Sequence, residues 1–243
     1  MQKVLLHFKL LFSVAILILS LSCSKEDGLT SEQQLQNATP NPVASYSYLA
    51  LGDSYTIGES VSYGQSFPLQ LSKRILDQKN IELKTTILAL TGWRTDELLI
   101  ASQGVEGSNF DLVTLLIGVN NQFQGRSLSQ YRQEFETLLE RAISVTKGNA
   151  NQVLVISIPD YAYTPFGQNR NKDQISTEID AYNSIAQEIT RTKGAVLVSI
   201  TDITRQGIEE PDLVAIDGLH PSGKAYEKFV QRLYPLVLSR LKD

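Results

Sequence analysis

Five short apolar runs, separated by segments of helical periodicity, dominate the sequence from residue 46 onward. The runs cover residues 46–51, 83–90, 110–117, 152–158 and 195–200. Strand-like segments that alternate with helical ones pair in parallel, and a nearly uninterrupted apolar run is typical of a strand covered on both faces. The pattern therefore predicts one α/β domain, a three-layer α/β/α sandwich with a five-stranded parallel sheet.

The segments between the runs carry apolar stripes and capping signals of helices. Thr95 is expected to cap a short helix, Ser127 and Gln130 have the spacing of a capping box, and Ser222 opens a last helix that is kinked or restarted at Pro235. Pro68 lies in the first turn of a stripe over residues 67–78, and a further stripe from Ile175 to Ile189 is closed by Gly194. Together these signals predict five helices: 67–78, 95–100, 127–145, 175–194 and the segment from 222.

Polar residues follow the ends of the predicted strands. Gly52, Asp53 and Ser54 come directly after the first strand, and a serine just past the carboxyl end of a parallel strand lies where open α/β sheets present groups to a ligand. Gly-Asp-Ser is also ordinary turn chemistry. Taken alone, the tripeptide leaves a nucleophile and a plain turn equally open.

Histidine is the scarcest candidate base. Of the two histidines, His7 lies in the amino-terminal leader and His220 in the segment Asp217-Gly-Leu-His-Pro221. A carboxylate three residues before an imidazole can bind one ring nitrogen and leave the other free to accept a proton. A solvated turn ahead of the last helix is the alternative interpretation of this segment.

Four short motifs together resemble the SGNH/GDSL hydrolases. They are Gly52-Asp-Ser-Tyr55, Gly92, Gly118-Val-Asn120 and Asp217-Gly-Leu-His220, in this order over residues 46 to 240. The resemblance implies the flavodoxin-like fold of that family, with Ser54 as nucleophile, His220 as its base and Asp217 orienting the imidazole. It also implies an oxyanion hole made by the backbone N–H groups of Ser54 and Gly92 and the side-chain amide of Asn120, with Gly92 keeping a Cβ away from the substrate.

The resemblance further implies a serine esterase that works through an acyl-enzyme intermediate. The family includes lipases, lysophospholipases, thioesterases and carbohydrate deacetylases, so acyl esters, lysophospholipid-like esters and acetylated carbohydrates all remain open as substrates. A surface lipoprotein that binds glycan or lipid without turnover is the alternative. We expect no cofactor and no metal site, because no phosphate-binding or dinucleotide motif and no ligand-spaced cluster is present.

Residues beside the motifs lead to further expectations about the site. Asn121 stands where the family usually has aspartate, which puts in doubt any salt link or substrate contact of that carboxylate. Asp53 is expected to accept backbone N–H bonds in its turn. Side chains that follow strand ends and can line a substrate pocket or pack as core are Trp93, Gln122, Phe123, Arg126, Tyr161, Tyr163 and Phe166, while Arg94 and Arg126 can attract an acidic head group.

The amino terminus resembles a bacterial lipoprotein signal. Lys3 and Lys9 precede an apolar run from Leu10 to Leu19, and the only cysteine, Cys23, follows at the end of residues 1–22. This predicts lipidation of Cys23, a flexible tether over residues 23–44 and a hydrolase domain over residues 45–243. An ordinary signal peptide with an incidental cysteine is the alternative. The expected location is the cell envelope, on its periplasmic or outer surface, with a membrane as partner.

The charge balance excludes one class of partner. The chain has 22 basic and 26 acidic residues. Removal of the two leader lysines leaves 20 basic against 26 acidic residues, a net charge of −6. Because nucleic-acid binding is driven by neutralisation of phosphates, this acidic balance predicts no nucleic-acid partner.

Overall fold

A computed structural model describes residues 44–241, which contain one five-stranded parallel sheet. The strands are β1 (Ala44–Gly52), β2 (Ile81–Ala89), β3 (Leu112–Leu116), β4 (Val153–Ile156) and β5 (Val196–Val198). They lie in the order β2-β1-β3-β4-β5, and each neighbouring pair is parallel. All five predicted strands are therefore present, although their boundaries differ slightly from the predicted ones.

Eight α-helices connect or follow these strands in the described part of the chain. They are α1 (Ser54–Ile57), α2 (Phe67–Lys79), α3 (Thr95–Ala101), α4 (Val119–Phe123), α5 (Leu128–Ser144), α6 (Lys172–Thr192), α7 (Thr201–Thr204) and α8 (Gly223–Arg240). Helices α2 and α8 pack on each other, whereas α5 packs on both α3 and α6. These two helical layers enclose the sheet, which confirms the predicted three-layer sandwich.

The core lies between the sheet and its two helical layers. Every residue of β3 and β4 is buried, as expected of central strands covered on both faces. The largest fully buried side chains are aromatic: Tyr48, Phe67, Tyr131, Phe135, Tyr226 and Phe229. Burial of one large apolar side chain contributes about 1.5–3 kcal/mol, so this core holds the strand ends in fixed positions.

Three local predictions need correction. Thr95 is the first residue of α3 rather than its cap, because Arg94 occupies the N-cap position. Ser127 does cap α5, but the side chain of Gln130 donates to Glu134 and does not complete a capping box. Of the two alternatives at Pro235, the restart is wrong, because helix α8 continues through that residue as a single element.

The strand order creates a crevice at one edge of the sheet. The chain passes from β1 to its neighbour β2 and then crosses to β3 on the other side of β1. Ligands bind at such a topological switch point, outside the carboxyl ends of the strands. The short helices α1 and α4, which follow β1 and β3, carry Ser54 and Asn120, so the fold brings these two predicted site residues to the same crevice. Among residues 44–241, no helix is both long and apolar enough to span a bilayer.

Candidate active site

Ser54 lies at the sharp turn between β1 and α1. Asp53 adopts an extended conformation as N-cap, and its Oδ1 accepts a hydrogen bond from the Tyr55 N–H at 3.0 Å. The turn passes close to β3, since a Cβ on Gly52 would lie 2.4 Å from the Leu116 carbonyl oxygen. Glycine at this position therefore allows β1 and β3 to approach at the point where Ser54 begins its helix.

His220 and Asp217 form a local unit in the turn before α8. One carboxylate oxygen of Asp217 accepts the backbone N–H groups of Leu219 and His220, at 2.9 and 3.0 Å. The other oxygen, Oδ2, lies 2.6 Å from the Nδ1 atom of His220. The same imidazole places Nε2 3.0 Å from the Ser54 Oγ. The structure thus brings together the three side chains that the sequence predicts as a catalytic set.

The charge of Asp217 determines the tautomer of the imidazole. Burial alone would raise the pKa of Asp217, but hydrogen bonds from His220, Ser60 and two backbone N–H groups outweigh it and lower the pKa to about 2. An ionised carboxylate can only accept hydrogen bonds, so Nδ1 of His220 carries the hydrogen. In the neutral ring Nε2 is then an acceptor, directed at the Ser54 hydroxyl.

Ser60 and Tyr55 are neighbours of this set that the sequence did not reveal. The Ser60 hydroxyl donates to Oδ2 of Asp217 at 2.7 Å, and its backbone has a φ of 63°, which a residue with a side chain rarely adopts. The ring of Tyr55 lies 5.0 Å from the ring of His220. Ser60 and Asp217 are 157 residues apart, so no local pattern signals their contact.

The two loops predicted to supply oxyanion donors contact each other. Asn120 donates one Nδ2 hydrogen to the Trp93 carbonyl oxygen at 3.0 Å, and its second amide hydrogen remains for another acceptor. Gly92 has a φ of 85°. No described atom would lie within 4 Å of a Cβ on Gly92, so the left-handed backbone, rather than crowding by the protein, requires glycine there.

Asn121 has a structural role in this chain. It is fully buried, its Oδ1 accepts the Thr95 N–H at 3.0 Å, and its Nδ2 donates to the Thr95 Oγ1 at 2.6 Å. Thr95 in turn donates to the carboxylate of Glu134. The chain of bonds therefore leads from the β3 loop through the start of α3 to α5. The only carboxylate in this chain of bonds is on α5.

A cavity of about 80 Å³ opens beside the nucleophile. It is lined by Ser54, Tyr55, Val119, Asn120, Phe123, Tyr161, Phe166, Leu219 and His220. Three predicted pocket residues, Phe123, Tyr161 and Phe166, are thus confirmed as lining. The other predicted residues lie outside this lining: Trp93, Gln122, Arg126 and Tyr163.

The guanidinium of Arg94 is bound by other side chains of the protein. Its guanidinium pairs with Asp96 at 3.0 Å and Glu97 at 3.3 Å, and it also donates to Gln124. The expectation that Arg94 attracts an acidic head group is therefore not supported.

Asp53 is buried directly beside Ser54. Burial raises the pKa of its carboxyl to about 7, against the lowering effect of backbone hydrogen bonds, and Oδ2 has no hydrogen-bond partner among the described residues. This environment fits the predicted turn role. Within residues 44–241, no three His, Cys, Asp or Glu side chains are grouped in a way that can hold a metal ion.

Comparison with known proteins assigns the family. The model of the GDSL-like lipase/acylhydrolase family matches residues 50–228, which include Ser54, Asn120 and the Asp217–His220 turn. The chain belongs to this family. It is therefore an SGNH-type hydrolase, as the four motifs predict.

Individual relatives of this hydrolase are distant in sequence. The Bacillus subtilis protein YpmR is 22% identical over 205 residues, covering 77% of this chain and 80% of YpmR. The crystal structure of TesA superposes with a TM-score of 0.65 at 17% identity, covering 80% of this chain and 99% of TesA. A variant of Axe2, an acetyl xylan esterase from Geobacillus stearothermophilus, gives a TM-score of 0.64 at 15% identity, with coverages of 79% and 94%. At these identities the structural matches establish the common fold.

Proposed function

We propose that this GDSL-family hydrolase is a serine esterase that cleaves carboxylic esters through Ser54, His220 and Asp217. The observation that carries the proposal is the continuous set of contacts from Asp217 Oδ2 through the imidazole to Ser54 Oγ, at 2.6 and 3.0 Å. A serine hydroxyl is a weak nucleophile that needs an adjacent base, and a base needs a third group to orient it. The contacts of His220 with Ser54 and of Asp217 with His220 support these two roles.

The reaction proceeds in two halves. His220 Nε2 takes the Ser54 hydroxyl proton while Oγ bonds to the ester carbonyl carbon, and the carbonyl oxygen becomes an oxyanion. The free amide hydrogen of Asn120 and the N–H groups of Ser54 and Gly92 are the proposed donors to that oxyanion; one such donor is typically worth about 2.7–4 kcal/mol. The imidazolium returns its proton to the alcohol oxygen as the C–O bond breaks. Water, deprotonated by the same nitrogen, bonds to the acyl carbon; the bond from that carbon to Ser54 Oγ then breaks, Oγ takes the proton back from Nε2, and the acyl group leaves as a carboxylic acid.

The small cavity favours a short acyl group. Pockets for drug-sized ligands measure about 300–1,000 Å³, whereas the cavity beside Ser54 measures about 80 Å³. Its aromatic lining suits an apolar acetyl or similar group. Among the substrates left open by the sequence, acetylated carbohydrates fit this size better than long-chain lipids, and the acetyl xylan esterase Axe2 shares the fold.

Hydrolysis of p-nitrophenyl acetate by the wild-type protein and by Ser54→Ala tests the mechanism. We expect Ser54→Ala and His220→Ala each to lower kcat by at least about 10³-fold, and Asp217→Ala somewhat less. Circular dichroism of each variant controls for folding. Equal rates for wild type and Ser54→Ala would exclude the esterase and leave a surface lipoprotein that binds glycan or lipid without turnover.

A series of p-nitrophenyl esters from acetate to decanoate, assayed beside an acetylated xylooligosaccharide, tests the substrate class. We expect kcat/KM to be highest for acetate and to fall with chain length, because longer chains exceed the cavity. A maximum at octanoate or beyond would contradict the short-acyl assignment.

We also propose that the hydrolase is exported and held in the cell envelope by acyl chains on Cys23. The support is the order of basic residues, apolar run and cysteine in residues 1–23. These residues lie outside the part of the chain that the structure describes. Each buried methylene adds about 0.8 kcal/mol to membrane affinity, so several acyl chains on one cysteine hold a protein on a membrane without a spanning helix.

A further inference from the structure

Arg170 contacts two of the aromatic rings that line the cavity beside Ser54. Its guanidinium carbon is 5.0 Å from the centre of the Phe123 ring and 4.7 Å from the centre of the Phe166 ring, and both rings line the cavity. Two stacking contacts hold the charged group in one place better than a solvated arginine could be held. An exposed positive charge therefore lies against two rings of the cavity wall.

This guanidinium has no anionic partner in residues 44–241. No described carboxylate lies within salt-bridge distance of it, and its side-chain N–H groups make no hydrogen bond to a described atom. Stacking uses only the faces of the planar group, so the N–H donors in its plane remain available. The arrangement suits an anion approaching from the side of the ring pair.

The carboxylates of Glu178, Asp160 and Asp180 bind groups other than Arg170. The two oxygens of Glu178 accept hydrogen bonds from the neutral amides of Gln122 and Gln174, at 2.7 and 2.9 Å. Asp160 and Asp180 are both paired with Arg205. The positive charge of Arg170 is thus left without a paired carboxylate among the described residues.

The field of Arg170 reaches the cavity wall. Burial raises the pKa of Tyr161, which lines the cavity; a hydrogen bond with Gln122 and the charge of Arg170 oppose this rise, while the charges of Glu178 and Asp160 add to it.

We propose that Arg170 determines substrate specificity by pairing with a carboxylate or phosphate group of the ester, so that anionic esters are the preferred substrates. This inference rests on the proposed esterase function and adds a substrate class to it. Guanidinium recognises both anions through paired N–H donors. The anion can belong to the acyl group or to the alcohol, and the two sources are separated by experiment.

Two pairs of esters that differ mainly in charge provide the test. For the acyl side they are p-nitrophenyl succinate and p-nitrophenyl butyrate; for the alcohol side they are para-acetoxybenzoate and para-acetoxybenzamide. The quantity measured is the ratio of kcat/KM for the anionic ester to kcat/KM for the neutral one. We expect Arg170→Ala to lower this ratio about fivefold in at least one pair. The expected effect is modest because an ion pair with an exposed side chain contributes little free energy. The pair affected identifies which part of the substrate carries the anion.

Two further variants and a salt series complete the design. Arg191→Ala is the matched control, because it also removes one arginine charge. Arg191 lies in the carboxyl-terminal turn of α6, which leads to the sheet edge opposite the site. This variant should leave the ratio unchanged. Arg170→Lys keeps the charge and should retain part of the preference. In the wild type the ratio should fall as salt rises from low to about 0.5 M, because screening weakens exposed ion pairs.

The outcomes separate the two proposals. If Arg170→Ala leaves the ratio unchanged in both ester pairs, including through an equal loss on neutral and anionic esters, the proposed role of Arg170 is wrong. The esterase proposal still stands in that case, provided that hydrolysis of the neutral esters requires Ser54. Absence of Ser54-dependent hydrolysis of every ester would overturn both.

Discussion

Asp217 and His220 are oriented within a single four-residue turn. The same carboxylate that binds Nδ1 also accepts the backbone N–H groups of Leu219 and His220. The position of the imidazole relative to its carboxylate is therefore decided locally, before any contact with the rest of the chain. Only the approach of Ser54, 166 residues earlier, depends on folding of the whole domain.

The Ser60 hydroxyl helps to keep the pKa of the Asp217 carboxyl low. In Ser60→Ala, Asp217 loses one of its donors, so the pKa of its carboxyl rises and the carboxylate holds the imidazolium more tightly. We expect the acidic limb of the kcat/KM profile to shift to higher pH by about a few tenths of a unit and kcat to fall about threefold to tenfold. The rate of p-nitrophenyl acetate hydrolysis from about pH 4.5 to 9, which spans the ordinary histidine pKa, measures both effects.

Ser60→Gly is the matched variant for backbone strain. It lacks the same hydroxyl but accommodates the φ of 63° without cost. It should therefore show the same pH shift as Ser60→Ala, and its urea unfolding midpoint should be higher than that of Ser60→Ala. An unchanged pH profile in both variants would show that Ser60 does not act through Asp217.

Asp53 should make the stability of the fold depend on pH. The pKa of its carboxyl is about 7 in the folded chain, against an ordinary value of 3.8, so between these pH values the folded state binds more protons than the unfolded state. The free energy of unfolding should therefore decrease as pH rises from about 4 to 7, by up to about 1.4 kcal/mol per unit of pH. Urea unfolding of the wild type and of Asp53→Asn, whose amide oxygen can still accept the Tyr55 N–H, measures the difference. Identical pH slopes for the two proteins would contradict the assignment.

The crevice arises from the arrangement of β1, β2 and β3 rather than from any one loop. The crossing from β2 to β3 places the turn after β1 and the turn after β3 side by side. The intervening helices α2 and α3 pack in different helical layers, α2 with α8 and α3 with α5, and the carboxyl edge between them stays open. Helix α4 presents Asn120 and Phe123 to the cavity, so the same short element supplies a proposed oxyanion donor and part of the wall.

The bonds between Asn121, Thr95 and Glu134 join α3, α4 and α5 near the site. Asn121→Asp restores the usual family residue but removes the hydrogen donor to Thr95 Oγ1. The Thr95 hydroxyl then faces two carboxylate oxygens, one on residue 121 and one on Glu134, and its single hydrogen can serve only one of them. We expect a loss of about 1–2 kcal/mol in the free energy of unfolding.

Glu134→Gln, combined with Asn121→Asp, should recover most of this loss. Thr95 can then donate to the introduced carboxylate and accept from the introduced amide on α5, which reverses the direction of the bonds. Urea unfolding of the two single variants and the double variant forms a double-mutant cycle. Additive changes would show that the three side chains are not coupled.

Capping positions show where local sequence is a weak guide to element boundaries. Thr95 is a favoured capping residue, yet its N–H is bound by Asn121, a residue 26 positions later, and it becomes part of the helix instead. Gln130 bonds Glu134 one turn further along α5. In both places a tertiary or helical partner replaced the expected local bond.

Over the whole molecule, the proposed anchor predicts a membrane-bound enzyme. We expect labelled palmitate to be incorporated into the wild-type protein in bacterial cells and not into Cys23→Ser, and Ser54-dependent esterase activity to move from the membrane fraction to the soluble fraction. Cys23 is the only cysteine in the chain, so no second thiol complicates the result. Equal labelling of the two proteins would contradict lipidation at Cys23.

The sequence by itself determined the class of fold, the order of the motifs and the Asp217–His220 turn, because hydrophobic periodicity and hydrogen bonds between near neighbours are local properties. The tertiary structure alone decided that Ser54 meets His220, that Ser60 reaches Asp217 and that Arg170 stacks on Phe123 and Phe166. These contacts depend on how the sheet twists and how helices pack on it. Sheet twist and helix packing result from many interactions between residues far apart in the sequence, so no short segment determines them.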